Sequence, residues 1–291
     1  MQGFVELLPV VLKLCVSALI FAIGLGSTLG DLTYLWRRPG LLLRSLLAMY
    51  VLVPLAAFLL VAFLPLSPGL KAALLVFAVS AGAPLLPRKL GAFGSEAYVF
   101  SLLVISSALA IVMVPAWVGL LGRHFDVAAQ IAPSTVAVAL GKAFLLPLAL
   151  GMALRAIFPR LGVRLSERLI AGAGVVLGVC ALLLLATHAE LLTSIRWQGM
   201  ATLVTLLLLA LAIGHALGGP SPDDRTALAV ACATRHLGIA LLVAASFPGP
   251  RTTVVVAAYV LASAAVTLPY LKWRRKASAA TSARQAASSG P

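Results

Sequence analysis

Apolar stretches of about 20 residues recur along this chain, and they constrain its fold more than any other feature. An α-helix of that length crosses the hydrocarbon core of a bilayer, where the backbone must satisfy its own hydrogen bonds. The stretches are continuous rather than alternating in polarity, which favours helices over strands. The sequence therefore predicts an all-α polytopic membrane protein.

Composition supports this class. Only 10% of the residues are charged and 62% are hydrophobic, whereas about a quarter of the residues of a soluble domain are charged. The net charge of +14 comes from cations in short loops and in the C-terminal tail, which is the pattern of cytoplasmic loops in membrane proteins. We therefore expect the protein to be embedded in a lipid bilayer and to bind no nucleic acid.

The apolar stretches predict about nine transmembrane helices joined by short turns. They are Val5–Leu29, Gly40–Leu64, Gly69–Leu90, Glu96–Leu121, Ala129–Phe158, Arg168–Ala189, Gly199–Leu217, Thr226–Phe247 and Thr252–Lys272. No connection has room for a soluble domain. Residues 1–272 are thus one predicted transmembrane domain, and residues 273–291 are a basic tail whose Ala, Ser and Gly content predicts disorder.

The distribution of cations predicts the orientation. If the N-terminus lies outside, the outer loops hold only Lys71, Arg123, Arg196 and Arg251, and the inner loops and tail hold most of the rest. This bias predicts an outside N-terminus and a cytoplasmic tail. The abundance of Arg, Ala and Leu is typical of a GC-rich bacterial genome, so the predicted location is a bacterial inner membrane.

Two of the predicted spans are interrupted. The third contains Gly82, Pro84 and Pro87, and the eighth contains Gly238; proline breaks a helix strongly and glycine weakly. Spans one to four resemble spans six to nine in layout, and an offset of five spans inverts the second group. Paired interrupted helices in inverted repeats indicate a transporter site near the bilayer midplane.

The eighth span also carries Thr234, Arg235 and His236 at bilayer depth. A guanidinium there costs roughly 2.5–3.5 kcal/mol on insertion scales, so it is a functional candidate by default. One interpretation is that the tethered guanidinium of Arg235 substitutes for a mobile cation at the helix ends and pairs with an anionic substrate through its planar fork. The other is that Arg235 bonds structurally to the carbonyls of the broken helix. His236 either relays a proton or simply makes hydrogen bonds.

Several short motifs together carry a family resemblance. In chain order they are Phe21 to Gly26, Asp31, Pro39, Ala48 to Pro54, the interruption at Gly82, Leu145 to Pro147, Leu150 with Gly151, and His236 to Ala240. In this order and spacing the chain resembles the bile acid:sodium symporter family of secondary transporters, from about Phe4 to Trp273. The resemblance implies the nine-span form of that fold, in which a panel domain faces a core domain with two unwound, crossing helices.

The departures from the family pattern concern its sodium sites. Residues without a side-chain oxygen occupy most of the matching positions: Leu85, Leu86, Met49 and Ala231. Arg235 and His236 match a Gln-Asn pair of sodium-coupled members. Because sodium requires several oxygen ligands, the resemblance implies a transporter whose sodium sites are largely dismantled, and sodium coupling stays open.

Three further polar residues within spans are second-tier candidates for substrate binding. Lys142 is either a second fixed cation of the core or a residue whose stem reaches towards an interface. Ser106 and Ser107 either bond a substrate or satisfy neighbouring backbone in lipid.

Other chemistry has no sequence support. The chain has no Walker-type phosphate loop and no His or Cys cluster with metal-ligand spacing. No nucleophile and base stand out as a pair, so we predict no enzyme, no metal site and no cofactor. The three cysteines, Cys15, Cys180 and Cys232, fit small core residues.

The predicted function is secondary active transport of a small organic anion by alternating access. One alternative is a symporter that keeps sodium coupling through backbone carbonyls. A second alternative is a transport-inactive membrane sensor or scaffold with a basic tail.

Overall fold

A computed structural model describes residues 2–80, 96–124, 132–187, 197–234, 259 and 262–277, and the regular structure among them is helical. The helices are α1 Gln2–Gly26, α2 Leu29–Leu32, α3 Pro39–Phe63, α4 Pro68–Val79, α5 Glu96–His124, α6 Pro133–Ile157, α7 Pro159–Thr187, α8 Trp197–Leu217, α9 Pro222–Ala233 and α10, residues 262–277. Within these ranges, four helices are long and apolar enough to cross a membrane: α3, α5, α6 and α8. The prediction of a polytopic all-α membrane protein is confirmed at this level.

Prolines set where several helices begin. Pro39, Pro68, Pro133 and Pro222 each lie in the first two positions of their helix. Proline suits this position because its fixed φ is already helical and the missing N–H would have no partner in the helix. The prolines that predict turns in this sequence therefore also lie at the start of the helices that follow.

The structure corrects two predicted boundaries. α7 begins at Pro159, nine residues before the predicted Arg168, so the basic segment between the fifth and sixth spans is helical rather than a loop. Its Arg160 and Arg164 are exposed while Gly162 and Ser166 are buried, which is an amphipathic pattern that hydropathy alone misses. α10 continues to residue 277, five residues into the predicted disordered tail.

Two spans contain a π-helical turn just before an internal proline. These turns are Ala48–Leu52, ahead of Pro54, and Gly141–Leu145, ahead of Pro147. A proline inside a helix clashes with the carbonyl four residues earlier and leaves it unbonded. For Pro54 that carbonyl belongs to Tyr50, and the Trp117 indole of α5 donates to it at 2.9 Å.

The helices α1, α6 and α7 pack against one another and are called here the α1 group. Gly24 of α1 and Gly151 of α6 face each other at the crossing. A methyl group added to Gly24 would overlap the carbonyl oxygen of Leu148, and one added to Gly151 would overlap that of Phe21. Only glycine allows this approach of the two backbones.

The C-terminal end of α1 is bonded by side chains of the other two members of the group. The Arg155 guanidinium of α6 donates to the carbonyls of Leu25, at 3.3 Å, and Gly26. The Ser166 hydroxyl of α7 donates to the Ala22 carbonyl at 2.6 Å. The last carbonyls of a helix lack intrahelical partners, so Arg155 satisfies two of them, and Ser166 adds a bond to a carbonyl one turn earlier. These donors fix the end of α1 within its group.

The helices α3, α4, α8 and α9 pack together as a second assembly, called here the α9 group. The turn from α8 to α9 is tight, with Gly219 at φ +82. Gly214 and Gly218 touch the backbone of Ala229 and Arg225 so closely that a side chain would overlap it. α5 packs on both groups, because it contacts α6 on one side and α4 and α9 on the other.

Candidate functional site

Two helices of the α9 group end inside the protein. α4 ends at Val79 and α9 ends at Ala233, and both residues are buried. Each is followed by a residue with non-helical backbone: Ser80 has ψ 77 and Thr234 has ψ 134. The ends come directly before the predicted interruptions in the third and eighth spans.

Tyr259 connects these two helix ends. Its ring stacks on Phe77 of α4, with centroids 3.9 Å apart and an interplanar angle of 11°. Its hydroxyl donates to the Ala233 carbonyl at the end of α9, at 2.6 Å. The side chain is 4% exposed. The C-terminal ends of α4 and α9 therefore meet around one buried tyrosine.

The two ends are built alike. The Ser80 hydroxyl donates to the Val76 carbonyl at 2.6 Å, and the Thr234 hydroxyl donates to the Val230 carbonyl at 2.7 Å. Each hydroxyl thus bonds the carbonyl four residues earlier in its own helix. A helix C-terminus carries roughly half an elementary negative charge, so the two ends together favour a cation.

Thr234 is the predicted site residue that the structure places at this meeting point. The predicted breaks Gly82, Pro84, Pro87 and Gly238, and the predicted substrate residues Arg235 and His236, lie outside the described residues. In sequence, Arg235 directly follows Thr234.

The serine pair of α5 is buried, with Ser106 1% and Ser107 2% exposed. Ser106 donates to the Leu103 carbonyl at 3.2 Å, which is also the carbonyl four residues before Ser107. The Ser107 hydroxyl has no hydrogen-bond partner. An unsatisfied buried hydroxyl costs about 1–3 kcal/mol, so Ser107 is the hydroxyl of the pair that can still bond a ligand.

The apolar residues around the serine pair belong to the same core as the helix ends. Leu103 and Ala110 of α5 share one contiguous buried cluster with Phe77, Ala233 and Tyr259. Lys142 lies elsewhere, on the π-helical turn of α6, and is exposed while its neighbour Phe144 is buried. Exposure is compatible with both predicted roles of Lys142.

Two positions that the resemblance matches to polar sodium-site residues are fully apolar here. Met49 of α3 and Ala231 of α9 are each 0% exposed and lie in one buried cluster with Tyr98 and Cys232. Neither side chain offers an oxygen ligand. At these positions the residues do not fit a sodium ion, because sodium prefers several oxygen donors.

Sequence reasoning missed the aromatic residues of this region. Tyr259 and Tyr50 both use their hydroxyls on backbone carbonyls, Tyr259 on Ala233 and Tyr50 on Ser106. A buried tyrosine usually finds a partner for its hydroxyl, so a tyrosine inside an apolar stretch is a signal that could have been used. Its partner, however, depends on which helices pack together.

The opposite end of α9 carries a buried carboxyl. Asp224 lies in the first turn of α9, before the predicted span, and is 4% exposed. Burial raises the pKa of Asp224, and the positive charge of Arg38 opposes that rise. Arg38 itself lies over the Tyr34 ring, 4.2 Å from its centroid.

The sequence model of the sodium bile acid symporter family matches residues 13–195, more than half of the chain. The chain belongs to the sodium bile acid symporter family. Members of this family are transporters, so the protein is a multi-pass membrane transporter of that family. No curated protein matches the chain. The matched residues run from α1 to α7 and its following segment, so the resemblance of α9 and Arg235 to the symporter family rests on their motifs.

Proposed function

We propose that this protein is a secondary active transporter of a small organic anion, located in a bacterial inner membrane. Three observations support the proposal: membership of the sodium bile acid symporter family, a helical fold with membrane-spanning helices, and the meeting of two helix C-termini at Tyr259. The meeting of the two helix ends is the main support for the proposed mechanism, because interrupted helices that meet in the core form the substrate sites of many transporters.

Alternating access requires two bodies that move relative to each other. We assign the α1 group as the panel domain and the α9 group, with α5 and α10, as the core domain of a nine-span protein. The glycine contact between α1 and α6 and the bonds of Arg155 to the end of α1 support a rigid panel. The boundary between the bodies then runs along the contact of α5 with α6.

The cation at the meeting point is, in this proposal, Arg235. Two helix C-termini favour a positive charge, the chain runs from Thr234 into Arg235, and Met49 and Ala231 provide no oxygen ligands for sodium. A tethered guanidinium would take over the electrostatic role of the coupling ion. Its fork can also bind a carboxylate or similar anion in bidentate fashion.

The remaining polar residues complete a site for a partly apolar anion. Thr234 and His236 flank Arg235 in sequence. His236 can donate a hydrogen bond to the substrate, whereas the Thr234 hydroxyl donates to the Val230 carbonyl and can only accept one. Ser107 brings a buried hydroxyl without a partner. The apolar core that surrounds the helix ends favours a substrate with a hydrocarbon body and one anionic group, such as a steroid-like, keto-acid or vitamin-precursor anion.

The decisive experiment measures uptake in proteoliposomes. A thermal-shift screen of organic anions on the purified protein first identifies a ligand, and radiolabelled ligand is then followed with sodium or with choline outside. We expect equal uptake in both buffers, because the fixed guanidinium replaces the ion. Uptake that requires sodium would contradict the proposal that Arg235 replaces the coupling ion, but it would still support transport of the anion.

A sodium-coupled symporter is the second candidate, and one observation favours it. Helix C-terminal carbonyls can coordinate sodium without side chains, and the ends of α4 and α9 meet. In that case uptake should saturate with sodium concentration, and Arg235→Lys should leave the sodium dependence in place.

A further inference from the structure

The last helix carries cations on two different sides. Arg274 is half-buried, and its guanidinium donates to the Thr226 hydroxyl and to the Pro222 carbonyl, each at 2.8 Å. Arg274 therefore fixes α10 to the start of α9. Lys272 and Lys276 are exposed, so they point away from that contact.

The exposed lysines continue an exposed stripe along α10. At 100° per residue, positions 265, 268, 269, 272 and 276 lie within an arc of about 100° on a helix, and all five are exposed in α10. The first three are Ala265, Leu268 and Pro269, and the last two are the lysines. One exposed face of α10 thus changes from apolar to cationic along the helix axis.

A face of this kind fits the boundary between hydrocarbon and lipid headgroups. Trp273 lies beside it and is 54% exposed. Its ring is held by its neighbours, with centroids 5.8 Å from Tyr270 and 5.9 Å from His215. An exposed tryptophan next to lysines is typical of a helix at the membrane interface.

The lysine pair favours an anionic occupant. Two like charges at positions i and i+4 of a helix repel each other, and an anion between them removes that cost. We propose that Lys272 and Lys276, with Trp273 beside them, bind the phosphate of an anionic phospholipid in the surrounding leaflet. The apolar residues before them contact the acyl chains of the same lipid.

Arg274 and the two lysines have different surroundings, and this difference distinguishes a specific lipid site from a general excess of positive charge. The cation that supports the fold turns inward to a hydroxyl and a carbonyl. The two lysines lie on the exposed face, which we propose is covered by lipid. If the lysines form a specific site, the preference for anionic lipid at this face should depend on these two positions. If the preference comes only from the overall positive charge, it should not depend on them.

The test uses Trp273 as its reporter. The full chain is reconstituted in phosphatidylcholine vesicles that contain either brominated phosphatidylglycerol or brominated phosphatidylcholine. The fluorescence of Trp273 is the difference between the wild type and the Trp273→Phe variant. We expect stronger quenching by the brominated anionic lipid.

The charge dependence is measured with a double variant and two matched controls. Lys272→Gln with Lys276→Gln should lower the relative affinity for phosphatidylglycerol by about 30-fold, which converts to about 2 kcal/mol for two cations. Replacing both lysines by arginine should keep the preference. Arg160→Gln with Arg164→Gln removes the same charge at the same spacing from exposed positions of α7 and should not alter it.

Three outcomes would overturn the proposal. If both brominated lipids quench Trp273 of the wild type equally, the protein has no preference for anionic lipid at this face. An equal loss in the α7 control and in the lysine variant shows a general charge effect. Displacement of the brominated anionic lipid by inorganic phosphate alone shows a site for free anions rather than for a lipid headgroup.

Discussion

The C-terminal end of α1 and the C-terminal ends of α4 and α9 are all inside the protein, but they are stabilised differently. At α1, a guanidinium from another helix, Arg155, bonds the last carbonyls, and Ser166 bonds another one nearby. The helix end is thereby fixed to two neighbours of the same group. The positive side chain of Arg155 therefore has a structural role here.

At α4 and α9 the donors are weaker and neutral. The hydroxyls of Ser80 and Thr234 bond within their own helices, and Tyr259 bonds Ala233. The chain then runs into Arg235 in sequence. The comparison teaches that buried helix C-termini can have different partners. At α1 a neighbouring helix supplies a cation, whereas the described donors at α4 and α9 are neutral, and we propose that Arg235 supplies the positive charge there.

The largest expected effect is on anion uptake, and it should distinguish Arg235 from Arg155. Arg235→Ala should reduce anion uptake in proteoliposomes to the background of empty vesicles, because it removes the cation that we propose at the meeting point of the two helix ends. Arg155→Ala should instead lower stability by about 1.5–3 kcal/mol, the range for hydrogen bonds to charged groups. Uptake per folded molecule and thermal unfolding in detergent measure both variants, and full uptake by Arg235→Ala would break the comparison.

The second prediction tests the rigidity of the α1 group. Gly151→Ala places a methyl group on the Phe21 carbonyl, and overpacking of this kind typically costs about 1–3 kcal/mol. Gly141→Ala is the control, because nothing lies within 4 Å of a methyl group at that position. Thermal unfolding of both variants should show a loss only for Gly151→Ala, and equal stabilities would contradict the close crossing of α1 and α6.

The third prediction concerns the other end of α9. Because burial raises the pKa of Asp224, its neutral form is favoured by folding, and this contribution is lost as pH rises through the raised pKa. Asp224→Asn should therefore raise the unfolding temperature at neutral pH and have little effect in acid. Asp223→Asn, at the exposed neighbouring position, is the control; a loss of stability in Asp224→Asn at neutral pH would show that attraction by Arg38 outweighs burial.

The smallest expected effect on stability is at Ser107. Ser107→Ala removes a hydroxyl that has no partner, so unfolding should change little or shift slightly upward. Ser106→Ala removes a hydrogen bond and should cost more. If Ser107 binds the substrate, the KM for uptake rises in Ser107→Ala, and an unchanged KM would remove Ser107 from the site.

The sequence predicts much of this fold because lipid imposes a strong pattern. The predicted span Glu96–Leu121 begins where α5 begins, and Gly199–Leu217 ends where α8 ends. The interruption of the eighth span is marked by polar residues, and α9 ends at Ala233, next to them. The number of spans, the inverted repeats and the orientation stay predictions.

Other features follow from signals that hydropathy does not contain. The extension of α7 back to Pro159 is amphipathic and basic, so its composition indicates a loop although its periodicity suits a helix. The short helix α2 depends on a capping box between Thr28 and Asp31, which is visible in the sequence. The apolar pattern does not indicate this helix, because its first residue, Leu29, falls at the end of the predicted first span and the other three lie before the second.

Membrane insertion is a property of single segments, so the chain by itself determines that it is a helical membrane protein and where most of its apolar stretches lie. The resemblance of its motifs likewise identifies its family before any contact is known. The partners of Gly151, Tyr259 and Ser107 are decided only by tertiary structure, since each depends on which distant backbone comes within bonding or contact distance. Packing in lipid is specified by close approach and by hydrogen bonds rather than by hydrophobicity, and neither is encoded in a local pattern.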